Sequence, residues 1–284
     1  MTKKYLFSTF AALALCFVVS CDNTTDDPPN QDKTTPPTST ITGPRILSKV
    51  NNGTKDLEEY ITTINGALSQ AFTRDAGSTN TMTSTVTYSG SKISQIKIQD
   101  NVTPHVTDNT YVLTYTSGKL SSFTMDQTLL GSPNHSDFTV YYDANGELYR
   151  VVEKKKLGGS TSYSHYYEAK YTFSASNIVK TDYTGMLMNG VNPDPSTAST
   201  TSYLYENYDS KINPYTTLPK EYLIISLAST TQLNSYLLST NNVGKVTIQS
   251  PLAPPISYPK LYSYDSANYP ISDQGMLHYI YKPL

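Results

Sequence analysis

Four histidines, His105, His135, His165 and His278, are the first candidates for metal ligation or proton transfer. None has a second histidine at metal-motif spacing, and the chain holds no HExxH, Gly-x-Ser-x-Gly or Walker-type glycine loop. His105 and His135 stand among Pro and Asn, which reads as surface loops. Glycoside hydrolysis would need two carboxylates facing one sugar. The candidates are Asp137, Asp143, Glu147 and Glu153, but Asp143 and Glu147 share a turn signature and Glu153 adjoins Lys154-Lys155-Lys156. Asp143-x-Asn145-Gly146-Glu147 resembles a fragment of a calcium loop without the remaining oxygen ligands that a hard cation requires. The triple lysine reads as a solvated strand end that deters edge pairing. No local context singles out a serine nucleophile. The expectation is no catalytic, metal or cofactor-binding residue.

Cysteine is a different matter. Lys3 and Lys4 precede an apolar run from Tyr5 to Val19, and the run ends at Val18-Val19-Ser20-Cys21. A positive start, an apolar middle and a small residue before cysteine make an export signal over residues 1–20, too short to span a bilayer comfortably. Val18-Val19-Ser20-Cys21 resembles a bacterial lipobox, at which Cys21 is lipidated and becomes the first residue of the mature chain. Val18 stands where leucine is commonest. Cys16, inside the apolar run, is the other cysteine, so an exported chain would carry no disulfide. Acyl chains on Cys21, each buried methylene contributing about 0.8 kcal/mol, would anchor the protein in lipid.

Residues 21–44 change to Asp, Asn, Thr and Pro, with Pro28-Pro29 and Pro36-Pro37. Such a stretch buries too little apolar surface to offset its ordering entropy and reads as a tether. The acidic residues Asp22, Asp26 and Asp27 resemble the surface-export signals of Bacteroidota lipoproteins. That resemblance implies an outer-membrane lipoprotein exposed at the cell surface, with a periplasm-facing placement as the alternative.

From residue 45 to 284 the pattern is of β-hairpins. Period-2 runs alternate with Gly, Asn, Asp and Ser clusters. Tyr88 leads to Ile93, Tyr115 to Leu120, Tyr142 to Leu148 and Phe173 to Ile178, each pair flanking a short polar turn. The four turn aliphatics recur at intervals of 27, 28 and 30 residues. Residues 57–72 fit two templates. Leu57, Tyr60, Ile61, Ile64, Leu68 and Phe72 mark a helical face, yet Asn65-Gly66 is a strong turn signal and favours a first hairpin. The apolar stretch 222–239, free of Gly and Pro, predicts one helix covering the sheet, followed by a returning strand at Lys245–Gln249. Tyr208-Asp209-Ser210-Lys211 and Tyr264-Asp265-Ser266-Ala267-Asn268 read as degenerate turn copies.

Tyrosine is the compositional outlier, with 25 residues against 7 Phe and no Trp. Its ring packs on a pleated surface while its hydroxyl reaches water, and the Asp that follows can close a turn on its own backbone. Tyr142-Asp143-Ala144-Asn145-Gly146-Glu147-Leu148, Tyr208-Asp209-Ser210-Lys211-Ile212-Asn213-Pro214-Tyr215 and Tyr264-Asp265-Ser266-Ala267-Asn268-Tyr269-Pro270 resemble the repeats of YD or Rhs-like proteins. More closely, they are similar to repeat lipoproteins of Bacteroidota that carry no assigned function. Tyr88-Ser89, Tyr115-Thr116 and Phe173-Ser174 lack the Asp, so the likeness speaks to architecture. It implies a mainly β, extended or curled antiparallel meander of repeated hairpins, too short to close the toxin cage of large Rhs shells.

The net charge of −2 argues against nucleic acid, whose phosphates need a basic stripe. The functional expectation is a lipid-anchored, non-catalytic envelope module whose Tyr-rich sheet contacts a glycan or another envelope protein. The alternative is a periplasmic carrier holding an apolar ligand in its curve, and the third reading is a carbohydrate-active hydrolase. Carrier and contact module differ in shape: the first needs a concave, unfilled apolar face, the second an exposed aromatic patch.

Overall fold

The structure, a computed structural model, describes residues 44–74, 79–129, 131–274 and 276–284. The expected signal, Cys21 and residues 21–43 of the expected tether lie outside these residues.

The strands are antiparallel and run β1 (Arg45–Asn51), β2 (Asp56–Thr62), β3 (Leu68–Arg74), β4 (Thr81–Ser89), β5 (Lys92–Asp100), β6 (Thr107–Thr116), β7 (Lys119–Leu129), β8 (Ser132–Tyr142) and β9 (Leu148–Lys156). They continue as β10 (His165–Ser174), β11 (Asn177–Asn189), the two-residue β12 (Asn192–Pro193), β13 (Ser199–Glu206), β14 (Lys245–Ser250), β15 (Ala253–Pro259), β16 (Tyr262–Tyr264), β17 (Pro270–Asp273) and β18 (Leu277–Pro283). From β2 to β11 each strand pairs with its sequence neighbour, and the sheet goes on through β13, β14 and β15. On its other side β1 pairs with both β2 and β18, followed by β17 and β16. The two edges, β15 and β16, are consecutive in the chain, joined by Lys260 and Leu261, and each pairs on one side only, β15 with β14 and β16 with β17. The sheet therefore curls back on itself without closing into a barrel.

What curls it is a bulge repeated at the same place in successive hairpins. One residue after the turn aliphatic the register slips, leaving Ser69, Ser94, Ser121, Tyr149 and Val179 unpaired. A bulge bends its strand and adds twist, so a series in one direction rolls the sheet. Serine suits the position because its hydroxyl bonds across the ladder: Ser69 to Ile61 O at 3.0 Å, Ser94 to Thr87 O at 3.2 Å and Ser121 to Thr114 O at 3.2 Å. The slip also resets which side chains face inward. Leu68 and Ala71, Ile93 and Ile96, Leu120 and Phe123, and Leu148 and Val151 are all buried, three residues apart rather than two.

Tyrosines tie one hairpin to the next. Tyr88 donates to Leu68 O at 3.0 Å, Tyr115 to Ile93 O at 2.9 Å and Tyr208 to Ile178 O at 2.6 Å, in each case the carbonyl of a turn aliphatic. Lysines add a second link: Lys92 Nζ reaches Gly118 O at 2.9 Å across the Tyr115 ring, and Lys119 Nζ reaches Gly146 O at 3.3 Å across the Tyr142 ring. The turns Thr63–Ala67, Asp143–Glu147 and Asp265–Tyr269 share one geometry. The first side chain accepts the amide of the fifth residue, and the fourth residue is left-handed: Gly66 (φ 79), Gly146 (φ 80) and Asn268 (φ 66). Residues 57–72 thus form a hairpin, β2–β3, which follows the β1–β2 hairpin instead of being the first, and Tyr264–Asn268 is a true turn copy.

Inside the curl lies the segment between β13 and β14. It contains a 3-10 turn (Pro214–Thr217), the helix α1 (Lys220–Ser229) and a second 3-10 stretch (Gln232–Leu238). Tyr222, Leu223, Ile224, Ile225 and Leu227 of α1 are buried on all sides of the helix, as expected of a helix enclosed by the fold rather than laid on a surface. The segment bonds elements around the whole curl. Thr217 accepts from Leu47 N of β1, Tyr215 donates to Glu58 of β2, Gln232 accepts from Tyr171 of β10, and Ser239 accepts from Ile178 N of β11.

Three expectations need correction. The helix expected over 222–239 breaks at Thr230, after which Thr231 caps the 3-10 stretch with its hydroxyl, and it fills the interior instead of covering a face. Tyr208–Lys211 opens this inner segment rather than a hairpin: Asp209 does accept Lys211 N, but its carboxylate also receives Asn242 and the Tyr264 hydroxyl. His135 lies within β8, not in a loop.

Candidate functional site

Strand alternation separates the candidate carboxylates. Asp137 pairs with Lys154 and Phe138 with Glu153, so the buried Phe138 puts Glu153 on the inner face and Asp137 on the outer one. They cannot flank one sugar. Asp143 accepts the amides of Asn145 and Glu147, which commits it to the turn. No group of three or more His, Cys, Asp or Glu able to hold a metal occurs among the described residues.

On the outer face His135 sits between two carboxylates, with Nδ1 2.7 Å from Asp126 and Nε2 3.4 Å from Asp137, which also accepts the Tyr163 hydroxyl. Asp126 and His135 border a groove of about 400 Å³ with Lys156 and Asn134. Both ring nitrogens are engaged. His105, by contrast, is a loop residue held by Asp100, whose carboxylate gathers the amides of Val102, Val106 and Thr107. Exposed aromatic surface is scarce: Tyr149, 39% exposed, lies 6.2 Å from Tyr141, whose ring carries the Arg150 guanidinium at 4.0 Å.

The inner face holds two more carboxylates in contrasting states. Glu58 accepts from the Tyr60 hydroxyl at 2.7 Å and the Tyr215 hydroxyl at 2.9 Å. Burial pushes its carboxyl above the usual range while those two hydrogen bonds oppose the shift. Among the described residues Glu153 has one direct partner, the Ser136 hydroxyl at 2.6 Å, and no ion pair within 4 Å. Burial raises its carboxyl too, against the nearby Lys155 charge and the serine bond.

Glu153 faces a cavity of about 100 Å³ between the sheet and the end of α1, walled by Phe138, Tyr167, Tyr183, Tyr203, Leu227 and Gln232 among others. The Tyr167 and Tyr183 rings stack with centroids 5.9 Å apart and planes 4° from parallel. Gly185 makes room for this arrangement, since a Cβ there would stand 3.3 Å from the Tyr167 ring. Small-molecule pockets usually measure about 300–1,000 Å³, so the inner segment leaves far less space than an apolar cargo needs.

No family model matches the chain, and no curated protein matches it. Its fold does have counterparts among solved structures. A porin-like protein from Bacteroides vulgatus aligns over 84% of this chain and 100% of its own, with a TM-score of 0.52 and 12% identity. A porin-like protein from Bacteroides uniformis aligns over 83% and 96%, with a TM-score of 0.46 and 12% identity. At such identity the first likeness is one of fold: a curled antiparallel sheet of hairpins is an architecture that a Bacteroides porin-like protein also adopts.

Proposed function

We propose that the protein is a non-catalytic envelope module held to the membrane by lipid on Cys21, with residues 1–20 removed and residues 21–44 serving as its tether. The observation that carries this reading is the polarity of the two sheet faces. Outward positions on β5 to β11 include Lys97, Asp108, Thr124, Asp126, Asp137, Arg150, Lys154, Lys170 and Asp182, while most of the apolar and tyrosine side chains of these strands point in. A membrane-spanning barrel has the reverse arrangement, an apolar outer band around a polar lumen. Membrane contact then has to come from outside the sheet, and acyl chains on Cys21 would supply it. No helix among the described residues is long and apolar enough to cross a membrane.

A glycan or an envelope protein is the partner in this reading, met at the Tyr141–Tyr149–Arg150 patch rather than across a broad tyrosine face. Among the described residues eight tyrosines, including Tyr60, Tyr111, Tyr171 and Tyr205, are buried and serve packing. Metabolic labelling with an alkyne fatty acid should mark the wild-type chain and spare Cys21→Ser, which should leave the membrane fraction without detergent. Labelling that survives the substitution would refute the anchor. Protease treatment of intact cells separates surface from periplasmic placement, and a glycan array comparing wild type with Tyr149→Ala tests the patch.

A further inference from the structure

The cavity beside Glu153 has a composition that its size alone does not explain. Aromatic rings form much of its wall, and a ring face attracts positive charge through its quadrupole. A carboxylate stands in that wall with one oxygen bonded to Ser136 and no ion pair. The third contributor is α1, a ten-residue helix whose C-terminal residues Leu227 and Ala228 line the same space. The C-terminal end of a helix carries partial negative charge. No basic side chain lines the cavity: Lys155, on the same face two residues further along, acts on Glu153 through space but is absent from the wall and makes no bond to the carboxylate.

We propose that this cavity binds a small methylated ammonium ion that retains one N–H. The N–H would donate to the open Glu153 oxygen, and the methyl groups would rest on the rings of Tyr167, Tyr183, Tyr203 and Phe138. The space of about 100 Å³ is roughly three times the volume of one water, enough for trimethylammonium and too little for a sugar. The proposal is independent of the anchor at Cys21, because it concerns the interior of the sheet.

The test uses the full chain and two probes of nearly the same shape, trimethylammonium and the uncharged tert-butanol, with binding followed by ligand NMR. Trimethylammonium should bind saturably, and at least about tenfold more tightly than tert-butanol. Glu153→Gln should lose that preference with its near-ultraviolet circular dichroism unchanged, and Tyr183→Phe, which keeps the ring, should bind within about threefold of wild type. Equal binding of the two probes to the wild-type chain, or no saturable binding of trimethylammonium, would overturn the assignment without any variant. An unchanged preference in folded Glu153→Gln would do the same.

Discussion

From Leu68 to Ile178 neighbouring hairpins are linked through groups that recur along the chain: a tyrosine hydroxyl on a turn carbonyl, a bulge serine on the opposite strand, a lysine on the next turn glycine. Between Asn207 and Gly244, past the Tyr208 link to Ile178 O, the bonds are single ones. Asn213 Nδ2 spans the carbonyls of Tyr236, Leu237 and Ser239, and its Oδ1 accepts Tyr215 N. Tyr205 donates to Gln232 O, and Gln232 in turn accepts Tyr171 from the opposite side. The contrast shows two ways of specifying one body. In the hairpins each link is weak and has copies, whereas inside the curl a single side chain serves several elements and has no substitute.

Substitutions can break that contrast, and the interior should give the largest response. Ile225→Ala removes a side chain with no exposed surface and should cost about 2–5 kcal/mol in urea unfolding. A loss under about 1 kcal/mol would mean that the helix is not packed as described. Asn213→Ala comes next, at about 1–3 kcal/mol, because carbonyls in the interior lose a donor. Hydrogen exchange at Leu238, Ser239 and Thr240 should quicken with it, and unchanged exchange would argue that Asn213 is dispensable. The smallest effect belongs to the repeats. Tyr115→Phe keeps the ring and removes one bond to Ile93 O, for about 0.5–1.5 kcal/mol by thermal unfolding. Tyr115→Phe equalling Ile225→Ala would erase the distinction between the two regions.

Much of the hairpin region was legible in the sequence because its signals are short-range. The pairs Tyr88–Ile93 and Tyr115–Leu120 flank real turns, Asn65-Gly66 turns the β2–β3 hairpin, and Lys245–Gln249 lies within β14. The side on which Glu153 lies was not, since plain alternation from Leu148 would send it outward. The bulge at Tyr149 shifts the count by one, and its only trace is the three-residue interval between Leu148 and Val151. The inner segment was legible as apolar but not as enclosed. Tyr171 and Gln232 are 61 residues apart, and nothing local at Gln232 announces that partner.

The strand at the start of the described chain is not an edge. β1 lies between β2 and β18, and Pro44 O accepts Leu284 N at 3.2 Å. A mechanical load entering through the residues before Pro44 would therefore meet two ladders at once. Detaching β1 would mean tearing a seam on each side instead of peeling a border, and the rate of forced opening follows that barrier rather than the equilibrium stability. A molecule tugged from this point would yield late.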